Sequence, residues 1–496
     1  KAAAVPDIIE LCGKQGTRVA LVLSAGFSEI GSQGAALERA VVENAKRYGM
    51  RLVGPNCLGI LYPAVGLNAT FSKGGAIAGN LALISQSGAF CTAILDWARP
   101  NDVGFSSIIS MGAAAGVDFG EILDYLASDP HTDSILLYIE GIHRARGFMS
   151  ALRAAARIKP IFVVKAGRHE AGSKAAFSHT GALVGADDVF DAVLQRAGVV
   201  RVNTIVQLFS AAQALSTHFH PAGKRLAIVT NGGGPGVMAS DRAVDLGVVI
   251  ATLAEDTLAQ LNAGLPETWS HGNPLDIIGD ATAERYRHAV THCLQDTDVD
   301  GVLVILTPQA MTQPLEVALA VIETAQKFNK PLIACWMGEL QVTESRLAFI
   351  KAKIPCFRTP EPAVEVFSYI AAYYQNQKLL MQTPGPIAQH SVPDVEGARL
   401  LIEGALAEHR KVLNEMESKA ILAAFHIPIA KTMVARSPNE ALLLAEELGL
   451  PVAMKINSPD ISHKSDCGGI RLSLGNAQAV RAAYHEIIES VRKHVP

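Results

Sequence analysis

The sequence predicts an α/β protein made of tandem parallel-sheet domains. Three observations carry this. Short β-branched and apolar runs (residues 18–23, 81–84, 134–139, 160–164, 226–229, 301–306 and 331–334) alternate with helical segments along most of the chain. Strands that are apolar on both faces read as parallel sheet covered by helices on either side. The runs also recur in a fixed order, which marks a duplication. Finally, 49% hydrophobic and 18% charged residues supply large cores and argue against disorder.

At 496 residues the chain has room for three or four domains of roughly 100–200 residues each. Its net charge is −4 and its basic residues are unclustered, which excludes a nucleic-acid partner from the expectation. No apolar run approaches the roughly 18–20 residues that span a bilayer, and no signal peptide opens the chain. The seven cysteines are scattered, without a Cys-x-x-Cys pair. Reduced thiols and a cytoplasmic location are therefore expected.

Residues 1–62 carry a helix, a strand, a second helix and strand, and the turn Gly54-Pro55-Asn56-Cys57-Leu58-Gly59; they read as the back half of a nucleotide-fold domain. Lys1 stands inside an amphipathic helix (Val5, Ile8, Ile9, Leu11), and the chain stops one helix after a strand pair that calls for more sheet. It reads as part of a longer protein. Residues 63–220 and 221–380 are the two copies. Leu81–Gly88 aligns with Leu226–Gly233, Asp133–Tyr138 with Asp300–Ile305, and Lys159–Val164 with Lys330–Cys335. Residues 381–398, with Pro384, Pro386 and Pro393, read as a linker, and 399–496 as a last partial domain.

The copies differ in one stretch. Between Gly167 and Gly198 the first is longer, and nothing between Gly338 and Ile354 matches the excess. That excess holds Ser178-His179-Thr180-Gly181, a single imidazole on a small, glycine-flanked backbone. An insertion confined to one copy points to function. A neutral imidazole is a nucleophile at physiological pH, suited to covalent transfer.

Each copy also places a small-residue turn between a buried strand and a helix: Ser85-Gln86-Ser87-Gly88 and Asn231-Gly232-Gly233-Gly234-Pro235-Gly236. Free N–H groups and the dipole at a helix N-terminus favour an anion there, and small residues let a phosphate approach. A plain tight turn is the competing reading for either one alone. Glu140 ends a buried strand where the second copy has Thr307. A carboxylate at that end of a parallel strand can orient a histidine, or can simply be solvated. Lys455, His463 and Lys464 flank glycines around a strand pair, which fits nucleotide phosphates or a polar hairpin. Cys57 reads as a reactive thiol or, more simply, as a small buried residue. Asn273-Pro274-Leu275-Asp276 reads as a turn and helix start. No metal-ligand spacing is seen.

Taken together, these motifs resemble the NDP-forming acyl-CoA synthetases, the superfamily that includes succinyl-CoA synthetase and ADP-forming acetate–CoA ligase. The resemblance implies a Rossmann-like CoA-binding part, two flavodoxin-like succinyl-CoA-ligase domains and the start of an ATP-grasp domain. It implies that acyl-CoA, ADP and phosphate interconvert with carboxylate, CoA and ATP, with acetate the family default. His179 would carry the phosphoryl group and Glu140 would orient it. Ser85, Gln86, Ser87, Gly88, Gly232, Gly233 and Gly234 would hold phosphate; Ser24, Gly26, Asn56 and Cys57 would hold CoA; Lys455, His463 and Lys464 would hold nucleotide. Mg²⁺ would be held by carboxylates of the ATP-grasp body outside this chain, so that this stretch alone does not complete turnover. The partners would be small molecules, in a homo-oligomer without membrane contact. Related proteins that append a GNAT domain and acetylate protein lysines offer an alternative; there the synthetase-like region is regulatory, and in some of them the loop histidine is lost. An oxidoreductase would instead need Gly-x-Gly-x-x-Gly after a first strand.

Overall fold

The computed structural model describes residues 1–169, 171–172, 186–215, 217, 223–381, 392–458, 461 and 464–494. Lys1–Thr383 form one compact unit and Pro384–Pro496 another. The first unit opens with a parallel pair, β1 (Val19–Leu21) and β2 (Arg51–Val53). Helices Val5–Lys14 and Ser32–Arg47 contribute Val5, Ile9, Val41 and Ala45 to the small core that also takes Phe27 and Leu52.

A seven-stranded sheet follows, made of β3 (Gly59–Tyr62), β4 (Leu67–Thr70), β5 (Ala78–Ser85), β6 (Phe105–Ser110), β7 (Ser134–Ile139), β8 (Ile161–Lys165) and β9 (Val200–Val202). Its order is β4-β3-β6-β5-β7-β8-β9. Strands β5 to β9 are parallel, while β3 and β4 form an antiparallel hairpin along β6. Without the hairpin the order is 2-1-3-4-5, a doubly wound sheet whose switch point lies between β5 and β7. The sequence reading ended the first segment at residue 62, but Gly59–Tyr62 belongs to this sheet. Gly59 makes the difference: at φ +117° its bare Cα lies against the Ala69 carbonyl, so the hairpin can close where a Cβ would come within 2.0 Å of that oxygen.

The second copy is a six-stranded sheet of β10 (Arg225–Thr230), β11 (Val249–Ile250), β12 (Leu275–Asp276), β13 (Gly301–Leu306), β14 (Leu332–Trp336) and β15 (Cys356–Phe357). The order β11-β10-β13-β14-β15 is again 2-1-3-4-5. The counterpart of β6 is split here. β11 pairs with the start of β10 and β12 with its end, with helix Glu255–Gly264 between them. Asn273 spans the gap: its Oδ1 accepts from Ile228 N (3.0 Å) and its Nδ2 donates to the carbonyls of Leu226 (2.8 Å) and Ala251 (2.9 Å). The segment read from sequence as a turn and helix start is thus a strand end. Leu275 is drawn in because it is wholly buried against β10.

Both copies share a core. Helix Pro360–Met381 packs on helices Ile205–Leu215 and Gly233–Asp245. One apolar cluster combines Leu83, Phe162 and Leu208 with Ile228, Leu303 and Phe367. Gln377 Nε2 adds a bond to the Ala156 carbonyl at 2.6 Å.

In the second unit, helix Val395–Ala407 starts inside the stretch read as linker, because the Asp394 carboxylate caps it by accepting from Gly397 N at 2.8 Å. Helices Glu415–Ala424, Pro438–Leu448 and Ala477–His494 accompany the antiparallel pair β16 (Val452–Lys455) and β17 (Ile470–Leu474). Among the described residues no helix is long and apolar enough to cross a membrane. All seven cysteines are free thiols.

Candidate functional site

The C-terminal ends of β5 and β7 carry the first copy's polar residues. Ser87 N donates to Ser85 Oγ (3.0 Å), and Ser85 Oγ donates back to the Ser87 carbonyl (2.9 Å). Ser87 Oγ caps helix Gly88–Ala98 by accepting from Phe90 N at 3.2 Å. The buried Gln86 amide joins the two strand ends. Its Oε1 accepts from Glu140 N (2.6 Å) and Gly141 N (3.1 Å), and its Nε2 donates to the Gly141 carbonyl (3.0 Å). The turn proposed for phosphate and the buried Glu140 are therefore fixed to each other by a side chain whose amide is bonded at both ends. Burial pushes the Tyr138 hydroxyl up to about 12, helped by the charge of Glu140 and a hydrogen bond with it.

The second copy builds the same clip from different residues. Gly232 N donates to Thr230 Oγ1 (3.1 Å), which donates to the Gly232 carbonyl (2.9 Å). Asn231 Oδ1 accepts from Thr307 N (2.8 Å), and Asn231 Nδ2 donates to the Thr307 carbonyl (2.9 Å). Gly232 precedes helix Gly233–Asp245, and at Gly234 a Cβ would meet nothing within 4 Å. At Gly233 a Cβ would come 3.2 Å from Asp276 Oδ2. An anion on this turn would thus have a carboxylate for a neighbour, which the first copy replaces with Ser110 at the matching strand end.

The proposed CoA residues adjoin the first clip. Asn56, at φ 54°, donates its N–H to the Ser24 carbonyl at 3.0 Å, and Gly26 N donates to Glu29 Oε1 at 2.6 Å. Leu58 N donates to Ser110 Oγ at 2.9 Å, and a Cβ on Gly88 would touch Leu58 at 3.4 Å. The Asn56–Leu58 turn therefore lies against the start of helix Gly88–Ala98. Cys57 is buried, its Sγ facing the Val22 carbonyl at 3.5 Å, and burial pushes the thiol up to about 11. That supports the packing role over the reactive one.

His179 lies outside the described residues, but both flanks of its segment are placed. Arg168 Nε donates to Asp187 Oδ2 at 3.4 Å, and Asp187 Oδ1 accepts from the Arg201 guanidinium at 2.5 Å. Arg168, three residues after β8, and Arg201 of β9 thus share the Asp187 carboxylate. Sequence reasoning passed over Lys165, the last residue of β8. Its Nζ donates to the Glu140 carbonyl at 2.9 Å and to that of Ala166. The one signal in the sequence was a charged residue closing an apolar run.

In the second unit Glu415 gathers three lysines: Lys455 at 2.5 Å, Lys419 at 3.4 Å and Lys464 at 3.7 Å. Burial would raise the Glu415 pKa, but Lys455 and Lys419 outweigh it and hold the carboxyl below its usual range. Cationic charge is in excess beside a cavity of about 800 Å³ lined in part by Lys455, Lys419, Thr432, Met433, Leu444 and Ile487. That volume is within the range of small-molecule sites. Glu415 and Lys419 were missed in the sequence, although they sit one helical turn apart behind an Asn414–Glu417 capping box. His463 lies outside the described residues. Among those described, no three His, Cys, Asp or Glu side chains converge to hold a metal ion.

Comparison with known proteins then places the chain. Family models match over residues 78–215 (succinyl-CoA ligase like flavodoxin domain), 226–379 (Ligase-CoA domain) and 404–496 (ATP-grasp domain). The chain is 40% identical to acetate–CoA ligase [ADP-forming] I of Archaeoglobus fulgidus, over 99% of this chain and 70% of that one. The chain belongs to the NDP-forming acyl-CoA synthetase superfamily. It is also 33% identical to 4-hydroxybutyrate–CoA ligase [ADP-forming] of Nitrosopumilus maritimus, over 99% of this chain and 70% of that relative. The dinucleotide forming acetyl-coenzyme A synthetase 1 of Ca. Korarchaeum cryptofilum, solved with phosphate and ADP, superposes with a TM-score of 0.73 at 34% identity. That match covers 77% of this chain and 84% of the solved one.

Proposed function

We propose that this chain supplies the acyl-transfer centre and part of the nucleotide site of an ADP-forming acyl-CoA synthetase, with acetate as the acyl group. The carrying observation is the convergence of Ser85, Gln86, Ser87 and Glu140 at the switch point of the first copy. In this reading a phosphate oxygen attacks the thioester carbonyl, the C–S bond breaks, and CoA leaves as a thiolate that takes a proton. The histidine of His179 then attacks phosphorus, the bond to the acyl oxygen breaks, and the carboxylate departs. ADP takes the phosphoryl group from nitrogen to give ATP. The helix N-terminus at Gly88 would favour the transferring anion, that at Gly233 would do so against the Asp276 carboxylate beside it, and Glu140 would hold the imidazole in one tautomer. Ser24, Gly26, Asn56 and Cys57 would form the CoA side.

Lys455 and Lys464, with His463, would face the nucleotide phosphates. Mg²⁺ would enter with the nucleotide, and no described residue is assigned to it. The relatives named above are ligases, which favours this reading over protein acetylation. The 4-hydroxybutyrate relative keeps the acyl group a proposal. Labelled ATP and Mg²⁺ should leave acid-labile, base-stable label on the full-length protein and none on His179→Ala. Label absent from the wild type, or unchanged in the variant, would overturn the reading.

A further inference from the structure

Two buried lysines stand at opposite ends of β8. Lys159, just before the strand, donates to the carbonyls of Leu126 (2.6 Å) and Asp129 (2.5 Å). The second copy repeats this device, where Lys330 donates to the Asp296 carbonyl. Lys165, at the other end, is 5% exposed and grips the carbonyls of Glu140 and Ala166. Its counterpart is Trp336, wholly buried, with Nε1 donating to the Pro314 carbonyl at 3.2 Å and its ring edge-on to Phe349. The fold therefore closes this position with an aromatic ring as readily as with a cation. Burying an ammonium group carries a desolvation cost of several kcal/mol that hydrogen bonds only offset. A lysine present in both copies serves the fold. One kept only in the copy that carries Glu140 calls for another explanation.

We propose that Lys165 is a positioning residue for transfer at the strand ends: its ammonium fixes the Glu140–Gly141 turn through the Glu140 carbonyl and places a positive charge beside that residue. Parallel pairing makes the reach natural, because Ile139 and Lys165 are register partners across β7 and β8. Gln86 holds the same turn from the β5 side, so Glu140 is fixed from both flanks. Burial lowers the Lys165 pKa and Arg201 adds to this, while Asp187 and Glu140 oppose it. The Phe190 ring lies 5.6 Å from its nitrogen.

The inference rests on the function proposed above, and the test separates the two. Full-length wild type, Lys165→Met and Lys159→Met are loaded with labelled ATP, then discharged with acetate and CoA in a single turnover. Lys165→Met should take the label but discharge on the order of 10²-fold more slowly, with the KM values for CoA and ADP within about threefold of wild type. Lys159→Met should lose thermal stability and discharge at the wild-type rate. Lys165→Arg, which keeps the cation, should recover at least about a tenth of the wild-type rate, and this variant decides the matter if the methionine form does not fold. Discharge by Lys165→Met at the wild-type rate, equal slowing in Lys159→Met, or an arginine form no faster than the methionine form would each overturn the inference alone. A wild type that takes no label overturns the synthetase reading, and this inference with it.

Discussion

The two flavodoxin-like copies share their mechanics and differ in their charges. Each closes its switch point with a hydroxyl and an amide, Ser85 with Gln86 and Thr230 with Asn231. Each anchors the opposite end with a lysine on a backbone carbonyl, Lys159 and Lys330. What the first copy has alone is Glu140 in place of Thr307, Lys165 in place of Trp336, and the segment bearing His179. Duplication acts as an internal control: contacts found twice hold the fold, and a buried charge found once is where the proposed chemistry is to be tested. A buried ionised group costs stability, so its presence in one copy only is informative.

The sharpest way to break this comparison is to neutralise the unshared carboxylate. Glu140→Gln should cut kcat for acyl-CoA formation by about 10²–10⁴-fold, the range of a lost acid–base or orienting group, whereas Thr307→Val should leave kcat near wild type. Comparable losses in both would show that the copies act alike. Next come the shared clips. Gln86→Ala and Asn231→Ala each leave buried N–H and C=O groups unpaired, and each should cost about 2–4 kcal/mol in urea unfolding. A loss confined to one copy would end the claim of equivalence.

Outside the copies, Lys455→Ala should raise the nucleotide KM about tenfold, roughly 1.4 kcal/mol, and leave discharge by acetate and CoA unchanged; slowed discharge would show that the second unit acts on the first step. The smallest effect separates the bottoms of the sheets. In the second copy Asp300 is bound by Arg225 at 2.9–3.0 Å, whereas the matching Asp133 bonds the neutral Asn80. Burial would raise the Asp300 pKa, but Arg225 outweighs it and the net shift is downward. A depressed folded-state pKa gives stability that is present above the unfolded carboxylate range and lost as pH falls through the folded value. Asp300→Asn should therefore remove about 1–2 kcal/mol at neutral pH and flatten the acid limb of the stability profile. Asp133→Asn should change stability by no more than about 0.5 kcal/mol.

Much of this organisation was legible because it lies in runs and repeats. Apolar strands of five or six residues show themselves by composition, and Glu140 stood out because it closed such a run. Two-residue strands do not show themselves. β11 and β12 have no period to detect, and Asn273 joins them through side-chain bonds that no local pattern encodes. Lys165 was overlooked because lysines are usually solvated, and only the register of β7 against β8 shows that its nitrogen ends on a carbonyl.

The sequence by itself determined the α/β class, the duplication, the two helix N-termini and the odd histidine segment, because each is a local or periodic property of the chain. Tertiary structure decided which strand Gly59 opens, that Cys57 is buried against the Val22 carbonyl, and that Gln86 and Lys165 hold Glu140 between them. The contacts on the Glu140–Gly141 turn join residues 25 to 55 positions apart. Their energies depend on burial and on the pairing of strand ends, which exist only once the sheet has formed.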